Sequence, residues 1–145
     1  MFVIDTNILV DAVNPRSVAH SACSALVDSW RKGSIQSFVT GGICFEFLRV
    51  TTHPGIFQSP WSAGDAWSFI RHLLASGTQI LNPTNRHVEL VTKVLDEFPF
   101  LAGNILHDAH TAILMREHGL RRIYTRDTDF HRFPFLEPID PLRQS

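Results

Sequence analysis

The sequence predicts an α/β fold, in which a central parallel sheet of four to five strands carries helices on both faces. Short apolar segments rich in β-branched residues alternate with longer segments whose apolar residues recur at helical spacing. Two of the short segments, near opposite ends of the chain, run directly into aspartates. Because parallel strands need crossover connections, this alternation favours one doubly wound domain. The 145 residues suffice for one core, and we expect a single domain over residues 1–145.

The composition is that of an ordinary globular protein. The hydrophobic content is 44% and the mean hydropathy is +0.02, which excludes a disordered chain. Lys+Arg number 13 and Asp+Glu 14, so any binding of nucleic acid must depend on where the charges lie. Without a signal peptide pattern or an apolar segment of ~18 residues, we expect a soluble, cytoplasmic protein with no membrane partner. Cys23 and Cys44 are expected to be buried free thiols.

The first half of the chain begins with a strand over residues 2–4, which ends at the helix-capping sequence Asp5-Thr6-Asn7. A short helix follows and stops before Asn14-Pro15. A second helix is predicted over residues 17–30, starting at Ser17, and a second strand over residues 35–39. Thr40-Gly41-Gly42 then leads into a helix that carries Glu46 within an otherwise apolar segment.

The second half follows the same alternation. Ser62 is predicted to cap a helix, residues 78–81 form a short strand, and Thr84 caps the next helix. Asn104 is predicted to cap a further helix, which ends at Gly119. A last strand over residues 122–125 runs into Asp127, and three prolines after it predict an irregular tail.

Four acids occupy related places in this fold. Asp5 and Asp127 follow buried strands, while Glu46 and Asp108 lie near the starts of helices that leave the same sheet edge. Carboxylates brought this close stay ionised only when a cation neutralises them, and oxygen ligands select Mg²⁺ or Mn²⁺. The chemistry implied is metal-dependent hydrolysis of a phosphodiester. Taken singly, each acid also fits a structural role, as a helix cap, a dipole partner or a surface side chain.

The motifs around these acids resemble those of a known family. They are Val3-Ile4-Asp5-Thr6-Asn7-Ile8-Leu9, Glu46-Phe47-Leu48-Arg49 followed by Thr51-Thr52-His53-Pro54, Gly103-Asn104-Ile105-Leu106-His107-Asp108-Ala109, and Tyr124-Thr125-Arg126-Asp127-Thr128-Asp129-Phe130. In this order and spacing they resemble the PIN domain, and within it the VapC ribonuclease toxins of type II toxin–antitoxin pairs. The resemblance covers essentially the whole chain and implies a single PIN-like domain.

The resemblance also implies roles for individual residues. Asp5 and Asp108 match the principal metal ligands of the family, Glu46 and Asp127 complete the acidic set, and Asp129 matches an additional acid. Thr6, Asn7 and Thr125 match polar residues that hydrogen-bond around the carboxylates. The implied protein is a Mg²⁺- or Mn²⁺-dependent endoribonuclease, a homodimer held inactive by a VapB-type antitoxin. The tail sequence Phe130-His131-Arg132-Phe133-Pro134 resembles one VapC subgroup. That subgroup usually has Gly where this chain has Phe135, so the tail is expected to run differently.

Arginines near the predicted site suggest how RNA would be held. Arg121, Arg122, Arg126 and Arg132 are expected to cluster around the Asp127 loop, and Arg49 lies one helical turn after Glu46. Arg49, Arg126 and Arg132 are predicted to contact RNA phosphates. The alternatives are a solvated charged loop and, for Arg49, a simple pair with a site carboxylate.

Other interpretations stay open at this point. The aromatic residues Phe57, Trp61, Trp67 and Phe69 form either core or a surface for a dimer or an antitoxin. A PIN-like scaffold that binds RNA or protein without cutting would share the same fold. His107-Asp108, with His110 nearby, also matches the dipeptide of HD-type metal phosphohydrolases, which are all-helical.

Overall fold

The structure, a computed structural model, describes residues 1–143 and is built on one sheet of five parallel strands. The strands are adjacent in the order β3-β2-β1-β4-β5. The predicted α/β class and the parallel sheet are confirmed, and the final two residues of the predicted domain lie outside the described part. The strands are β1 (Phe2–Ile4), β2 (Ser37–Thr40), β3 (Gln79–Leu81), β4 (Arg122–Tyr124) and β5 (Glu137–Ile139).

Helices connect the strands and cover both faces of the sheet. Successive side chains of a strand point to opposite faces, and every residue of β1 and β2 is buried, so both faces are covered. Across residues 1–143, no helix combines the length and the apolar character needed to span a membrane. The helices are α1 (Thr6–Val13), α2 (His20–Lys32), α3 (Gly41–Thr51), α4 (Ala63–Ala75), α5 (His87–Glu97), α6 (Ile105–Glu117) and a 3₁₀ helix (Thr128–Arg132).

Side-chain caps fix the starts of three helices. Asp5 Oδ1 accepts a hydrogen bond from Thr6 N at 2.7 Å at the start of α1. Thr40 Oγ1 accepts from the third residue of α3 at 3.0 Å, and Ser62 Oγ accepts from the third residue of α4 at 3.1 Å. These bonds satisfy N–H groups that a helix leaves without internal partners. The predicted cap at Ser62 is confirmed.

Two other predicted helix starts are wrong, and a third, at Asn104, lacks the predicted side-chain cap although α6 begins directly after it. Ser17 Oγ and Thr84 Oγ1 each accept from a backbone N–H two residues later, which makes a turn, and α2 and α5 begin three residues after them. Asn104 has helical backbone angles and makes no side-chain cap bond. The second strand begins at Ser37 rather than at Ile35, which is exposed.

The predicted irregular tail is also wrong, because it contains strand β5. The strand pairs with β4 through Glu137 N to Arg121 O at 2.7 Å and Thr125 N to Ile139 O at 3.0 Å. Pro138 lies between these bonds on an edge strand, where a missing N–H breaks no ladder bond. Before β5, the Phe135 ring packs against the Arg116 guanidinium, with 4.8 Å between the guanidinium carbon and the ring centroid. Within residues 1–143 no non-glycine residue has a positive φ, so Phe135 needs no strained backbone.

The aromatic residues after α3 are mainly core. Phe69 stacks on Phe47 at 5.0 Å between ring centroids, and Trp61 packs edge-on against Phe47 at 6.2 Å. Phe57 is buried, whereas Trp67 is 38% exposed. The core interpretation therefore holds for all of the predicted aromatic set except Trp67. Both cysteines are free and buried, as expected.

Candidate active site

The candidate site lies at the carboxyl edge of the two central strands β1 and β4. These strands are adjacent and parallel, with Ile4 opposite Tyr124, and Asp5 N donates to Tyr124 O at 3.0 Å. Since the strands end in register, Asp5 and the loop carrying Asp127 leave the sheet side by side. The predicted placement of these two acids on one edge is confirmed.

Asp5 is buried and firmly held. Its carboxylate accepts hydrogen bonds from Thr6 N at 2.7 Å, Asn7 Nδ2 at 3.0 Å and Thr125 Oγ1 at 2.6 Å. Burial raises the pKa of Asp5 to about 6, against the lowering effect of these hydrogen bonds, and the negative charge of Asp127 adds to the increase. The carboxylate is therefore fixed in position but costly to ionise unless positive charge lies nearby.

The three predicted supporting residues contact the acids in different ways. Thr125 Oγ1 donates to Asp5 and accepts from Asp127 N at 3.0 Å, so one buried hydroxyl joins the two strand ends. Asn7 Nδ2 lies 3.3 Å from Thr125 Oγ1 as well as bonding to Asp5. Thr6 supports Asp5 through its backbone N–H, while its hydroxyl contacts a carbonyl oxygen of α3.

Three carboxylates meet just outside this edge. Asp108 from α6, Asp127 from the loop after β4, and Asp129 from the 3₁₀ helix have oxygens that all lie within 4.8 Å of one another. Asp129 N donates to Asp127 Oδ1 at 2.9 Å, which fixes the short Asp127–Asp129 segment. We refer to these three residues as the acid cluster.

Asp108 bears the strongest repulsion in the acid cluster. Burial raises the pKa of Asp108 to about 7, and the negative charges of Asp127, Asp5 and Asp129 add to the increase. A hydrogen bond with Asp127 raises the pKa further, because it favours the protonated form of Asp108. The raised pKa indicates that the cluster does not hold all its charges without compensation.

The donor set of the acid cluster fits a hard divalent cation. Every donor is a carboxylate oxygen, and within residues 1–143 this is the one group of three or more potential ligand side chains close enough to hold an ion. An all-carboxylate donor set suits Mg²⁺ and Mn²⁺, whereas zinc sites typically include His nitrogen or Cys sulfur. A bound cation would also remove the repulsion that raises the pKa of Asp108.

Glu46 does not join the acid cluster. Both its oxygens accept hydrogen bonds from Arg49, from Nη2 at 2.6 Å and Nε at 3.0 Å, and these bonds lower the pKa of Glu46. The positive charge of His107 on α6 acts in the same direction. Of the four acids expected to converge, Asp108 and Asp127 lie in the acid cluster and Asp5 lies near it. Glu46 pairs with the arginine one helical turn away, so its role in the site stays a prediction.

The predicted arginine cluster around the Asp127 loop is wrong in part. Arg121 and Arg122 lie at the opposite end of β4, where both pair with Glu137 at 3.4 and 3.6 Å. Arg132 is exposed on the 3₁₀ helix. Arg126 pairs with Asp11 of α1, with Nη1 to Oδ2 at 2.8 Å. Asp11 was not among the predicted site residues; its position four residues after Asn7, on the same helix face, was the available signal.

A cleft opens beside the acid cluster. Its volume is about 300 Å³, and its lining includes Thr125, Asp127, Thr128, His131 and Arg143. The cleft thus reaches one side of the acid cluster and carries both hydroxyl and cationic groups. A polar ligand could approach the carboxylates from this side.

The HD-type interpretation is wrong. Those enzymes are all-helical, whereas this chain has a five-stranded parallel sheet. His107 and His110 also lie outside the acid cluster. Asp108 therefore belongs with the acids that follow β4 rather than with a histidine-rich site.

Comparison with known proteins identifies the family. A profile of the PIN domain matches residues 2–136. Ribonuclease VapC37 of Mycobacterium tuberculosis is 31% identical over 134 residues, which cover 92% of each chain.

Two solved structures share the fold. VapC20 of Mycobacterium tuberculosis, described as a Sarcin-Ricin loop cleaving toxin, aligns with a TM-score of 0.65 and 16% identity over 94% of this chain and 98% of that one. VapBC2 of Rickettsia felis, solved bound to a DNA fragment from their promoter, aligns with a TM-score of 0.62 and 18% identity over 95% of this chain and 96% of that one. The chain belongs to the PIN domain family and, within it, to the VapC group.

Proposed function

We propose that the chain is the toxin of a type II toxin–antitoxin pair and acts as a Mg²⁺- or Mn²⁺-dependent endoribonuclease. The observation that carries the proposal is the acid cluster beside buried Asp5, at the carboxyl edge of the sheet in a PIN domain. The description of VapC37 as a ribonuclease supports the same activity. RNA is the proposed substrate, and the cytoplasm is the compartment in which the chain would meet it.

In this proposal the carboxylates hold the cation and the hydrogen-bonded side chains hold the carboxylates. Asp108 on α6 and the pair Asp127 and Asp129 after β4 supply oxygens from two chain segments, and Asp5 nearby adds negative charge. When bound, a divalent cation stabilises charge that develops on the phosphate and makes water a better nucleophile. Thr125 keeps Asp5 and Asp127 in a fixed relation, which preorganises the site before substrate arrives.

The proposed reaction is hydrolysis of one phosphodiester bond. A water oxygen bonds to phosphorus and gives up one proton, the bond from phosphorus to the departing ribose oxygen breaks, and that oxygen takes up one proton, so that the step consumes no net proton. Asp108 has a pKa of about 7 without a cation; it would give up its proton when the cation binds and would then hold the cation as a carboxylate.

Further contacts are proposed around this centre. Arg132 and Arg49 are exposed and are proposed to contact RNA phosphates. Glu46 is proposed as a further acid of the site, which requires that it leave Arg49. A VapB-type antitoxin and a second copy of the chain are the proposed protein partners, and the Rickettsia felis toxin–antitoxin complex supports the antitoxin.

Cleavage of total RNA by the purified chain tests the proposal. The protein is prepared free of antitoxin, its mass in solution is measured by light scattering, and RNA is added with Mg²⁺, Mn²⁺ or EDTA. We expect discrete fragments with either cation and none with EDTA. Asp5→Asn and Asp108→Asn should reduce cleavage at least about 100-fold, because each removes a carboxylate charge that would hold the cation in the site.

The matched control is Glu137→Gln, which removes an acid that pairs with arginines at the opposite end of the sheet. It should cut like the unaltered chain. Folded protein that fails to cut under every cation condition would favour the scaffold that binds RNA or protein without cleavage. Cutting that survives both aspartate substitutions would place the active site elsewhere.

A further inference from the structure

The Arg126 side chain ends on helix α1 rather than in the acid cluster. Its Nη1 donates to Asp11 Oδ2 at 2.8 Å, and the two side chains are 30% and 14% exposed. Arg126 Nε is enclosed by protein and has no hydrogen-bond partner within residues 1–143. Arg126 Nε is therefore covered and Nη1 is engaged by a carboxylate, while the residue also lines the cleft beside Asp127.

The backbone of the same residue is held by the same helix. Arg126 N donates to Asn7 Oδ1 at 3.1 Å, and Asn7 lies four residues before Asp11. Positions four apart occupy one face of a helix. Helix α1 thus binds Arg126 twice, once through its backbone and once through its side chain.

Both chain neighbours of Arg126 belong to the site. Thr125 donates to the Asp5 carboxylate, and Asp127 contributes to the acid cluster. A residue fixed at both backbone and side chain limits where its two neighbours can lie. The bond from Asp127 N to Thr125 Oγ1 at 3.0 Å transmits this restraint across the turn.

We infer that Asp11 and Arg126 are positioning residues, whose ion pair holds the Thr125–Asp127 turn against α1 and so sets where the Asp127 carboxylate meets Asp108. The inference rests on the proposed function for its catalytic consequence. It replaces the sequence-based role of Arg126 as a phosphate contact, because a partly buried, paired guanidinium is not free to bind RNA.

The two roles predict opposite effects of Asp11→Asn. If Arg126 binds phosphate, loss of its partner frees the guanidinium, and KM for RNA falls. If the pair positions the turn, loss of the partner leaves an enclosed guanidinium without a counter-charge, and the turn loosens. In that case kcat falls and KM changes little, since the substrate contacts are elsewhere.

Three measurements test the inference on the full chain. Hydrogen exchange of the amides of residues 125–129 is followed without cation, Mn²⁺ affinity is measured by electron paramagnetic resonance, and kcat and KM are measured on RNA. For Asp11→Asn and Arg126→Ala we expect exchange at least about tenfold faster. We also expect Mn²⁺ binding about five- to twentyfold weaker and kcat lowered by a similar factor. Arg126→Lys retains the charge opposite Asp11 and should recover part of each loss.

Glu97→Gln provides the control, because Glu97 forms an ion pair of similar length with Arg116, at 3.0 Å, between α5 and α6. It should leave all three measurements unchanged. Unchanged exchange in Asp11→Asn, or a rise in KM alone in Arg126→Ala, would overturn the inference. If Asp11→Asn does not fold, the same three measurements on Arg126→Lys and Asp11→Glu test the inference instead. Altered exchange in a chain whose unaltered form cuts no RNA would instead reject the proposed function and keep the positioning role.

Discussion

The Asp108 carboxyl group lies among other carboxylates, and its ionisation costs free energy in the folded chain. Its pKa of about 7 is raised by burial and by the charges of Asp127, Asp5 and Asp129. Asp5, with a pKa of about 6, is in a similar position. Residues that serve the proposed chemistry therefore weaken the cation-free fold, as is common where charges are concentrated at a site.

Asp108→Asn should stabilise the cation-free protein while removing the proposed activity. An amide carries no charge to repel Asp127, and partial solvent exposure limits the expected gain to about 1–2 kcal/mol at pH 8. Urea unfolding with EDTA measures the change. Asp96→Asn, at an exposed position of α5, should alter the free energy of unfolding by less than about 0.5 kcal/mol. A loss of stability in Asp108→Asn would contradict the repulsion described for the site.

For single residues, the sequence predicts which of them belong to the site better than it predicts which partners their side chains contact. Asp5, Asp108 and Asp127 could be recognised because each follows a strand or lies near the start of a helix at one edge, whereas Asp129 was recognised only through the resemblance to the family. The pairing of Glu46 with Arg49 and of Arg126 with Asp11 depends on side-chain rotamers, which spacing leaves open. Spacing of three or four residues permits such pairs but does not choose between them and a more distant partner.

Helices α5 and α6 are joined by a buried acid. The side chain of Glu117, at the end of α6, is 1% exposed and accepts hydrogen bonds from Thr84 N and Oγ1 and from His87 Nδ1. Burial alone would raise the pKa of Glu117, but the hydrogen bonds from Thr84 and His87 outweigh it and lower the pKa to about 2. This contact fixes the loop before α5 to the helix that carries Asp108.

Glu117→Gln should lower the free energy of unfolding by about 1–2 kcal/mol at pH 7, because the charge is lost while the Gln carbonyl oxygen still accepts from Thr84. Because the folded pKa is below the ordinary value of 4.5, the stabilisation is fully present above about pH 4.5 and is lost as pH falls toward 2. Urea unfolding across this range should show the two proteins converging in acid. Glu97→Gln, an exposed acid on the neighbouring helix, should differ little from the unaltered chain throughout. If the difference in free energy of unfolding between Glu117→Gln and the unaltered chain did not change with pH, the ionised Glu117 carboxylate would not be the source of the stabilisation.

Elements were predictable where one signal dominated. The apolar segments before Asp5 and Asp127 correctly predicted strands β1 and β4. Strand β5 was missed because a proline such as Pro138 is unfavourable in a strand unless that strand lies at the edge of the sheet. Ser17 and Thr84 were mistaken for helix caps because the same hydroxyl also stabilises a turn. Local chemistry does not distinguish these outcomes, since tertiary packing decides where a helix begins.

For the whole molecule, the sheet order brings distant segments to one edge. β1 and β4 are adjacent although about 120 residues separate them, so Asp5 and Asp127 meet only in the folded chain. Recognition of the family from the sequence supplied this topology, which hydrophobic patterning alone would not. Folding and cation binding should therefore be linked, because the unfolded chain has no assembled site.

This linkage predicts a pH-dependent stabilisation by Mg²⁺ or Mn²⁺. The pKa values of Asp5 and Asp108, about 6 and about 7, are raised above the ordinary 3.8, so stability of the cation-free fold falls as pH rises from about 4 to 7. Cations compete with protons for the same oxygens. A cation at about ten times its Kd should then raise Tm by about 3–6 °C at pH 8 but by less than about 1 °C at pH 5. Asp108→Asn should abolish the shift at pH 8, whereas equal shifts at both pH values would mean that the cation binds away from these carboxylates.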